Sequence, residues 1–189
     1  MEYPETHATT AMLKAMTHPL RRRILAVFPR LEYVRAADLA TELGEPANKI
    51  SFHLRVLADA GLLVEAPEQA RDRRDRVWTA MKGALNIGDK EHPVADPALG
   101  SALVTALLDE HGETVRRFAK WMPEYLSDPA GEPHGTFTQS RIKLSPAQFT
   151  EMLKGIQTAI RDAQDAAEKA SDPDARVYQL DIIAVDETV

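Results

Sequence analysis

Two short amphipathic segments, residues 36–44 and 46–61, follow one another with little more than a glycine and a proline between them. In the second, PANKISFHLRVLADAG, the side chains of Ile50, Leu54 and Leu57 recur at helical spacing and form one apolar stripe. Proline fits the first turn of a helix, and glycine ends a helix in the left-handed conformation. The sequence therefore predicts two short helices joined by a tight turn, the second sharply bounded at both ends.

The flanking residues extend this arrangement into a recognisable order of elements. Residues 10–28 have helical periodicity, and Pro19 divides them into one helix that ends near Thr17 and another that begins at the proline. After Gly61, the runs LLVEA and RVWTA are typical of two short strands joined by a polar turn region. Helices, a glycine-containing turn, a further helix and a hairpin, in this order, predict a winged helix-turn-helix domain over residues 1–85.

Four stretches of this region resemble the ArsR-type winged helix regulators of bacteria: THPLRRRIL, ADLATELG, ISFHLRVLADAGLL and RDRRDRVWTA. The resemblance covers about residues 10–82, and the S-x-H-L-x-x-L-x-x-A-G-L core is its most specific part. It implies a homodimeric transcription factor, usually a repressor, whose affinity for DNA changes when an effector binds.

The outward face of residues 47–59 is the predicted DNA-reading surface. Asn48 can pair with adenine through two hydrogen bonds, Arg55 can reach guanine or a phosphate, and Ser51 can hydrogen-bond a base or a phosphate, with Lys49 beside them. Because this helix has few basic residues, we expect much of the attraction to phosphate to come from elsewhere in the domain.

Two residues of the same helix leave alternatives open. Phe52 is a departure from the resembled family, in which the position is often basic or polar; it either contacts a thymine methyl group or covers the apolar edge of a neighbouring element. His53 matches a near-constant histidine of the family and either contacts a phosphate or packs against the second helix.

The hairpin tip, ARDRRDR, supplies the predicted phosphate contacts. Arginine at such a tip suits a position beside phosphates or in a narrow minor groove, and the two aspartates should temper the affinity. The candidate DNA-contacting residues of this wing are Arg71, Arg73, Arg74 and Arg76. The basic run at residues 21–23 reads chiefly as a solvated helix surface, with a phosphate contact as the alternative.

The remainder of the chain predicts a separate region, so that the expected fold class is α+β and mainly α. Residues 86–97 read as a linker, and residues 98–122 as a long dimerisation helix that Pro123 ends or kinks. Residues 135–186 predict a small β-α-β piece, because FTQSRIKL and RVYQLDIIAV alternate as strands do and flank a helical segment. Together, residues 98–189 form the expected dimerisation and effector region.

Aromatic and apolar residues gather near the end of the long helix: Phe118, Trp121, Met122 and Tyr125. Such a cluster more often belongs to a core or a dimer interface than to a ligand pocket. If an effector pocket exists, this cluster is the expected place, and an apolar small molecule would suit it.

Composition and motifs limit which metal-binding and catalytic functions the chain can have. The chain has no cysteine, which excludes disulfides and thiolate metal sensing. Asp109, Glu110 and His111 offer the first half of a hard-metal site. Met122 and Tyr125, which are not plausible ligands, stand where its second half would fall. A His/carboxylate metal sensor is therefore a lesser alternative, and no cofactor is expected. No nucleophile constellation or phosphate loop indicates an enzyme.

Charge and hydropathy complete the expectations about partners. The net charge is −6, but residues 1–85 carry 13 Lys and Arg against 11 Asp and Glu, so the acidic balance belongs to the second half and DNA binding by the first stays open. No run of residues predicts a membrane span or a signal peptide, and the expected location is the cytoplasm. The expected partners are double-stranded DNA with an imperfect palindrome and a second copy of the chain. A winged-helix module that binds protein instead of DNA is the other alternative.

Overall fold

The structure is a computed structural model that describes residues 6–72, 74–81, 85–87, 92–127, 134–170, 172 and 174–188 of the chain. The chain divides into two compact units, residues 1–117 and 118–189. The division falls inside a long helix instead of in the linker expected at residues 86–97, because residues 97–117 of that helix belong to the N-terminal unit.

Helices α1, Thr10–Met16, and α2, Pro19–Leu25, form where helical periodicity and a proline predicted them. The hydroxyl of Thr9 accepts a hydrogen bond from the backbone N–H of Met12 at 3.2 Å and so caps α1. Pro19 occupies the first turn of α2, and the ring Nδ1 of His18 caps this helix by accepting from the N–H of Leu20 at 3.1 Å. The break between the two helices at residues 17 and 18 is therefore confirmed.

Helices α3, Ala36–Leu43, and α4, Ala47–Asp59, are the pair expected around the tight turn. Gly44 has a φ of +66° and Gly61 a φ of +79°, which is the left-handed conformation that non-glycine residues rarely adopt. A Cβ at Gly61 would also meet the Cε of Met12 at 3.4 Å. Both glycines thus end their helices as the sequence predicted, and Pro46 immediately precedes α4.

The predicted hairpin forms from β3, Leu63–Glu65, and β4, Val77–Ala80, which pair antiparallel. A further strand, β2 (Val34–Arg35), adds to the other side of β4, so that the sheet has the order β2-β4-β3. Two short strands that the sequence did not indicate, β1 (Thr6–His7) and β5 (Leu85–Asn86), pair in parallel. The sheet places the wing beside the start of α3.

The core of the N-terminal unit fills the space between α1–α4 and the sheet. Ile50, Leu54 and Leu57 are fully buried and form the inward face of α4, as their spacing predicted. They pack with Leu39 of α3, Ile24 of α2 and apolar residues of the sheet. Burial on this scale contributes about 1.5–3 kcal/mol for each large aliphatic side chain, and it fixes which face of α4 is left for solvent.

The long helix α5, Pro97–Ser127, contains the expected helix and continues beyond it. Gly100 and Leu103 are buried in the N-terminal unit, and the carboxylate of Glu110 lies 2.6 Å from the Nε of Arg22. Pro123 does not end the helix: its missing N–H removes one hydrogen bond of the ladder, and α5 runs one further turn to Ser127. None of the described helices is long and apolar enough to cross a membrane.

In the C-terminal unit, the helix of the predicted β-α-β piece is present as α6, Pro146–Ala170, but its two strands are not. The described parts of residues 135–145 and 172–188 form no strand, although both segments have alternating apolar residues. A strand needs a neighbour for its backbone hydrogen bonds, and parallel pairs in particular need cover on both faces. Phe137, Ile142, Leu180 and Val185 remain more than 60% exposed, so alternation without cover is not enough. The fold class, mainly α with small sheets, is nevertheless confirmed.

Candidate nucleic-acid interface

The solvent face of α4 carries the polar residues that the sequence singled out. Asn48 and Arg55 are exposed, and Ser51 is half-buried. The Ser51 hydroxyl donates to the carbonyl of Ala47 at 2.8 Å, and the Nε of Arg55 donates to the carbonyl of Ser51 at 3.3 Å. The ammonium of Lys49 is paired with Glu45 at 2.8 Å. Asn48 and Arg55 are the exposed polar side chains of this face whose hydrogen bonds, among the described residues, are to the backbone alone.

Phe52 and His53, the two residues with open roles, lie in different environments. Phe52 is 56% exposed and touches the His53 ring edge-on, with 5.3 Å between ring centroids. His53 is 5% exposed and packs on the ring of His18 at a centroid distance of 4.6 Å. The geometry therefore favours packing for His53, whereas Phe52 offers an apolar surface to solvent.

The two aspartates of the wing organise its backbone. Asp72 accepts hydrogen bonds from the N–H groups of Arg74 at 2.7 Å and Asp75 at 3.1 Å. Asp75 accepts from the N–H of Arg71 at 3.0 Å. Their expected role was to temper the attraction for DNA; in the structure these carboxylates define the conformation of the loop that presents the arginines.

Arg35, which the sequence analysis did not select, ties the wing to the helix-turn-helix. Its Nε lies 2.9 Å from one carboxylate oxygen of Asp75 and 3.1 Å from the other, and its Nη2 donates to the carbonyl of Gln69 at 3.0 Å. Arg35 belongs to β2, immediately before α3, and is separated from Asp75 by 40 residues. No local pattern indicates a pair so distant, although an arginine that directly precedes the first helix of the motif was visible in the sequence.

The wing arginines differ in how they are held. Arg76 pairs with both carboxylate oxygens of Glu65, at 3.1 and 3.2 Å, and lies 5.4 Å from the ring centroid of Trp78. The side chains of Arg71 and Arg74 are exposed and form no ion pair within the described part of the chain. Arg73, also a predicted DNA-contacting residue, lies outside the described residues.

A groove of about 540 Å³ separates α4 from the wing. Ser51 and Arg55 line it on one side, and the start of α3 and the wing line it on the other. Five of its ten lining residues are arginines: Arg35, Arg55, Arg71, Arg74 and Arg76. Asp75 is the one acidic residue of the lining, so the groove carries an excess of positive charge. Such an excess on a concave surface gives a local potential that favours anions, although the whole chain is acidic.

The charges of the bridge between Arg35 and Asp75 reinforce each other. The hydrogen bond from Arg35, followed by the one from the Arg71 backbone, lowers the pKa of Asp75 below its usual value. The same bond with Asp75 raises the pKa of Arg35. Both groups are therefore ionised at neutral pH, and one acidic charge of the groove is neutralised by a basic one.

The three arginines at residues 21–23 take part in structural contacts. Arg21 donates to the carbonyls of Ala15 and Lys14, and Arg23 donates to the carbonyl of Leu43 at 2.9 Å. Arg22 binds Glu110 and is largely buried. The expected solvated surface is therefore found only in part, since Arg22 is largely buried and all three arginines bind other parts of the N-terminal unit.

The predicted effector cluster belongs to the C-terminal unit, where its rings are in contact. Trp121 lies 5.8 Å from Phe118 and 5.0 Å from Tyr125, measured between ring centroids. His134 meets Trp121 edge-on at 5.8 Å, and Phe137 lies 6.3 Å from Phe118. Met122, on the same stretch of α5, is half-buried. The sequence analysis did not connect His134 and Phe137 with this cluster, because both follow the intervening loop.

The geometry gives little support to the hard-metal alternative. The first half of the expected site includes Glu110, whose carboxylate is bound by Arg22. Among the residues that the structure describes, no group of three or more His, Asp or Glu side chains is arranged to hold a metal ion.

The four helices α1–α4, with Gly44 in the turn between α3 and α4 and a three-stranded sheet that carries a basic hairpin, define a winged helix-turn-helix domain. Members of this class that bind DNA place the second helix of the motif in the major groove. The family model of a helix-turn-helix domain matches residues 16–66, which include α2, α3, α4 and β3. The match supports a helix-turn-helix motif inside the region predicted for it and agrees with the resemblance to ArsR-type regulators.

Three solved structures illustrate the similarity. A protein described as a possible transcriptional regulator for arsenical resistance is 26% identical, with 57% of this chain and 93% of that one covered, at a TM-score of 0.31. The AntR antimony-specific transcriptional repressor is 23% identical, with 57% of this chain and 87% of that one covered, at a TM-score of 0.33. The YusO protein from Bacillus subtilis is 16% identical, with 82% of this chain and 79% of that one covered, at a TM-score of 0.34. TM-scores this low do not establish a shared overall fold. No curated protein matches the chain.

Proposed function

We propose that the chain is a homodimeric transcriptional regulator, in the simplest case a repressor, that reads double-stranded DNA through α4 and the wing and responds to an effector bound in its C-terminal region. The observation that carries the proposal is the arginine-lined groove beside the exposed face of α4. Phosphate contacts supply most of the affinity of such proteins, and base contacts supply the specificity.

The two sides of the groove suit these two tasks. Asn48 and Arg55 are exposed on α4 and have side chains that can form paired hydrogen bonds with adenine and guanine. Arg71 and Arg74 on the wing have exposed side chains suited to phosphates. Because α4 alone has only two basic residues, the wing is the expected source of most of the phosphate attraction.

Selection of bound sequences from a random DNA pool tests the proposal directly. We expect an imperfect palindrome with half-sites about 34 Å, one helical turn, apart or a multiple of that distance. Asn48→Ala and Arg55→Ala should each cost about 1–3 kcal/mol of binding free energy and relax the preference at one base pair. Recovery of no sequence motif would contradict the proposal and favour a protein-binding module.

The dimer is supported by uncovered apolar surface. Val104, Leu108 and Val115 lie on one face of α5 and are each 44–51% exposed. The large apolar residues of α1 are already buried in the N-terminal unit, so α5 is the better candidate for the interface. In sedimentation equilibrium, we expect Leu108→Glu to weaken the dimer and Ala102→Glu, on another face of α5, to leave it intact. A monomeric wild-type protein at micromolar concentration would refute this part of the proposal.

The proposed effector site is the aromatic cluster around Trp121. Ring edges and faces in contact suit an apolar small molecule that inserts among them. We expect the fluorescence of Trp121 to change on titration with apolar ligands, and the change to be lost in Trp121→Phe, which retains Trp78. A response that persists in this variant would place the ligand elsewhere.

A further inference from the structure

The geometry points to the groove between α4 and the wing as the binding site of one DNA backbone phosphate, with Arg35 as the positioning residue that holds the wing at the required distance. The inference rests on the proposed DNA binding and adds a specific site and a residue to it. Arg35 is not part of the reading face of α4, and its role follows from what its guanidinium holds.

Arg35 binds the wing on both sides of the turn at its tip. One bond reaches the carbonyl of Gln69, before the arginine-rich tip, and the others reach the carboxylate of Asp75, after it. Arg35 itself is held because β2 pairs with β4 and because Asp38 accepts from its backbone N–H at 2.9 Å. One guanidinium therefore joins the start of α3 to both sides of the tip, in addition to the pairing of the strands.

The carboxylate of Asp75 transmits this position to the arginines. It also accepts the N–H of Arg71, so the bridge and the loop backbone share one acceptor group. With the loop held in this way, the side chains of Arg71 and Arg74 line the groove opposite Ser51 and Arg55. The groove has room for a phosphodiester with its flanking sugars, and a bound anion would relieve the repulsion among these like charges.

Whether Asp75→Ala raises or lowers the affinity for DNA distinguishes this positioning role from a purely electrostatic effect. If Asp75 were only an acidic residue near DNA, Asp75→Ala would remove a repulsive charge and tighten binding. If Asp75 positions the wing, the same substitution weakens binding although it makes the protein less acidic. Asp59→Ala on α4 is the matched control, because it removes an exposed carboxylate that has no part in the bridge.

The experiment measures the affinity of the full chain for a labelled duplex of about 30 base pairs of mixed sequence, across roughly 50–200 mM salt, since phosphate contacts do not depend on sequence. The logarithm of the binding constant falls linearly with the logarithm of the salt concentration, and each phosphate contact makes this slope steeper by about 0.9. Near 0.15 M salt, one such contact corresponds to about fivefold in affinity relative to 1 M salt. We expect Asp75→Ala to lose about fivefold or more in affinity and about one unit of slope. Asp59→Ala should bind as tightly as the wild type or more tightly.

Arg35→Lys provides the second variant, because it retains the charge but not the fork that reaches both Gln69 and Asp75. We expect it to reproduce the effect of Asp75→Ala, and the double variant to be no weaker than either single one, with circular dichroism confirming that each is folded. If the wild type binds DNA and Asp75→Ala or Arg35→Lys binds equally well or better, this inference is overturned and the proposed function stands. Absence of DNA binding by the wild type overturns both.

Discussion

Phe52 is the residue of α4 for which a role in DNA contact and a role in packing predict the most clearly different results on substitution. An aromatic side chain has about 200 Å² of accessible surface, and with 56% of the residue exposed about 110 Å² of it remains uncovered in the free chain. At about 25 cal/mol per Å², covering all of this surface would stabilise a complex by about 3 kcal/mol, and covering half of it by about 1.4 kcal/mol, or tenfold in affinity.

The expected result of Phe52→Ala is therefore a loss of about tenfold in affinity for the selected operator, measured by fluorescence anisotropy at fixed salt. The free energy of unfolding in urea should change by less than about 1 kcal/mol, because the ring is mostly exposed and alanine has the higher helix propensity. Phe52→Tyr, which retains the ring, should keep most of the affinity. Leu31→Ala removes another exposed apolar side chain, 41% exposed and outside α4, and should not affect binding.

A different result would refute the reasoning. If Phe52→Ala lowers the free energy of unfolding by 2 kcal/mol or more (about the cost of a core truncation) and leaves operator affinity unchanged, the ring covers a neighbouring element and does not contact DNA. Unchanged affinity together with unchanged stability would also exclude the contact with a thymine methyl group.

Three further predictions concern the scaffold. Leu54→Ala should lower the free energy of unfolding by about 2–5 kcal/mol, measured in urea, because Leu54 is fully buried beneath the recognition face. Burial, followed by nearby positive charge, lowers the pKa of both His18 and His53, so the unfolded chain binds protons first and stability should fall as the pH drops below about 6.5, with a smaller fall in His53→Gln. Glu110→Gln should cost about 1 kcal/mol, because Glu110 is 45% exposed and Arg22 keeps its bonds to two backbone carbonyls.

Each of these has a contradicting outcome. A loss below 1 kcal/mol in Leu54→Ala would mean that the core of the N-terminal unit is not packed as described. An equal fall in stability between pH 7.5 and pH 5.5 in the wild type and in His53→Gln would assign the pH dependence to other groups. Asp109→Asn, on an adjacent position of α5, should be neutral, and a cost as large as that of Glu110→Gln would remove the case for the pair with Arg22.

The helix boundaries that a proline or a glycine marks in the N-terminal unit could be predicted because their signals are local. Pro19, Gly44 and Gly61 act on the backbone of their own residues, and the stripe of Ile50 and Leu54 follows from helical spacing alone. Such features need no knowledge of what lies elsewhere in the chain, and the structure agrees with them to within a residue or two.

The rest of the site depends on pairs that are distant in sequence. Arg35 meets Asp75 across 40 residues, and Arg22 meets Glu110 across 88. The prediction of two C-terminal strands was wrong because alternating apolar residues are a property of one segment, whereas a strand also needs a neighbouring segment to pair with. The structural role of the wing aspartates could not be predicted, because the sequence displays their charge and not the N–H groups that they bind.

The bond between Arg22 and Glu110 anchors α5 two residues before a glycine. Gly100, Leu103 and Glu110 fasten the first part of this helix to the N-terminal unit, and Gly112 follows half a turn after the last of them. A glycine inside a helix weakens it by about 0.5–1 kcal/mol relative to alanine. We therefore expect α5 to resist bending least near Gly112, just beyond the contacts that fasten its first part to the N-terminal unit.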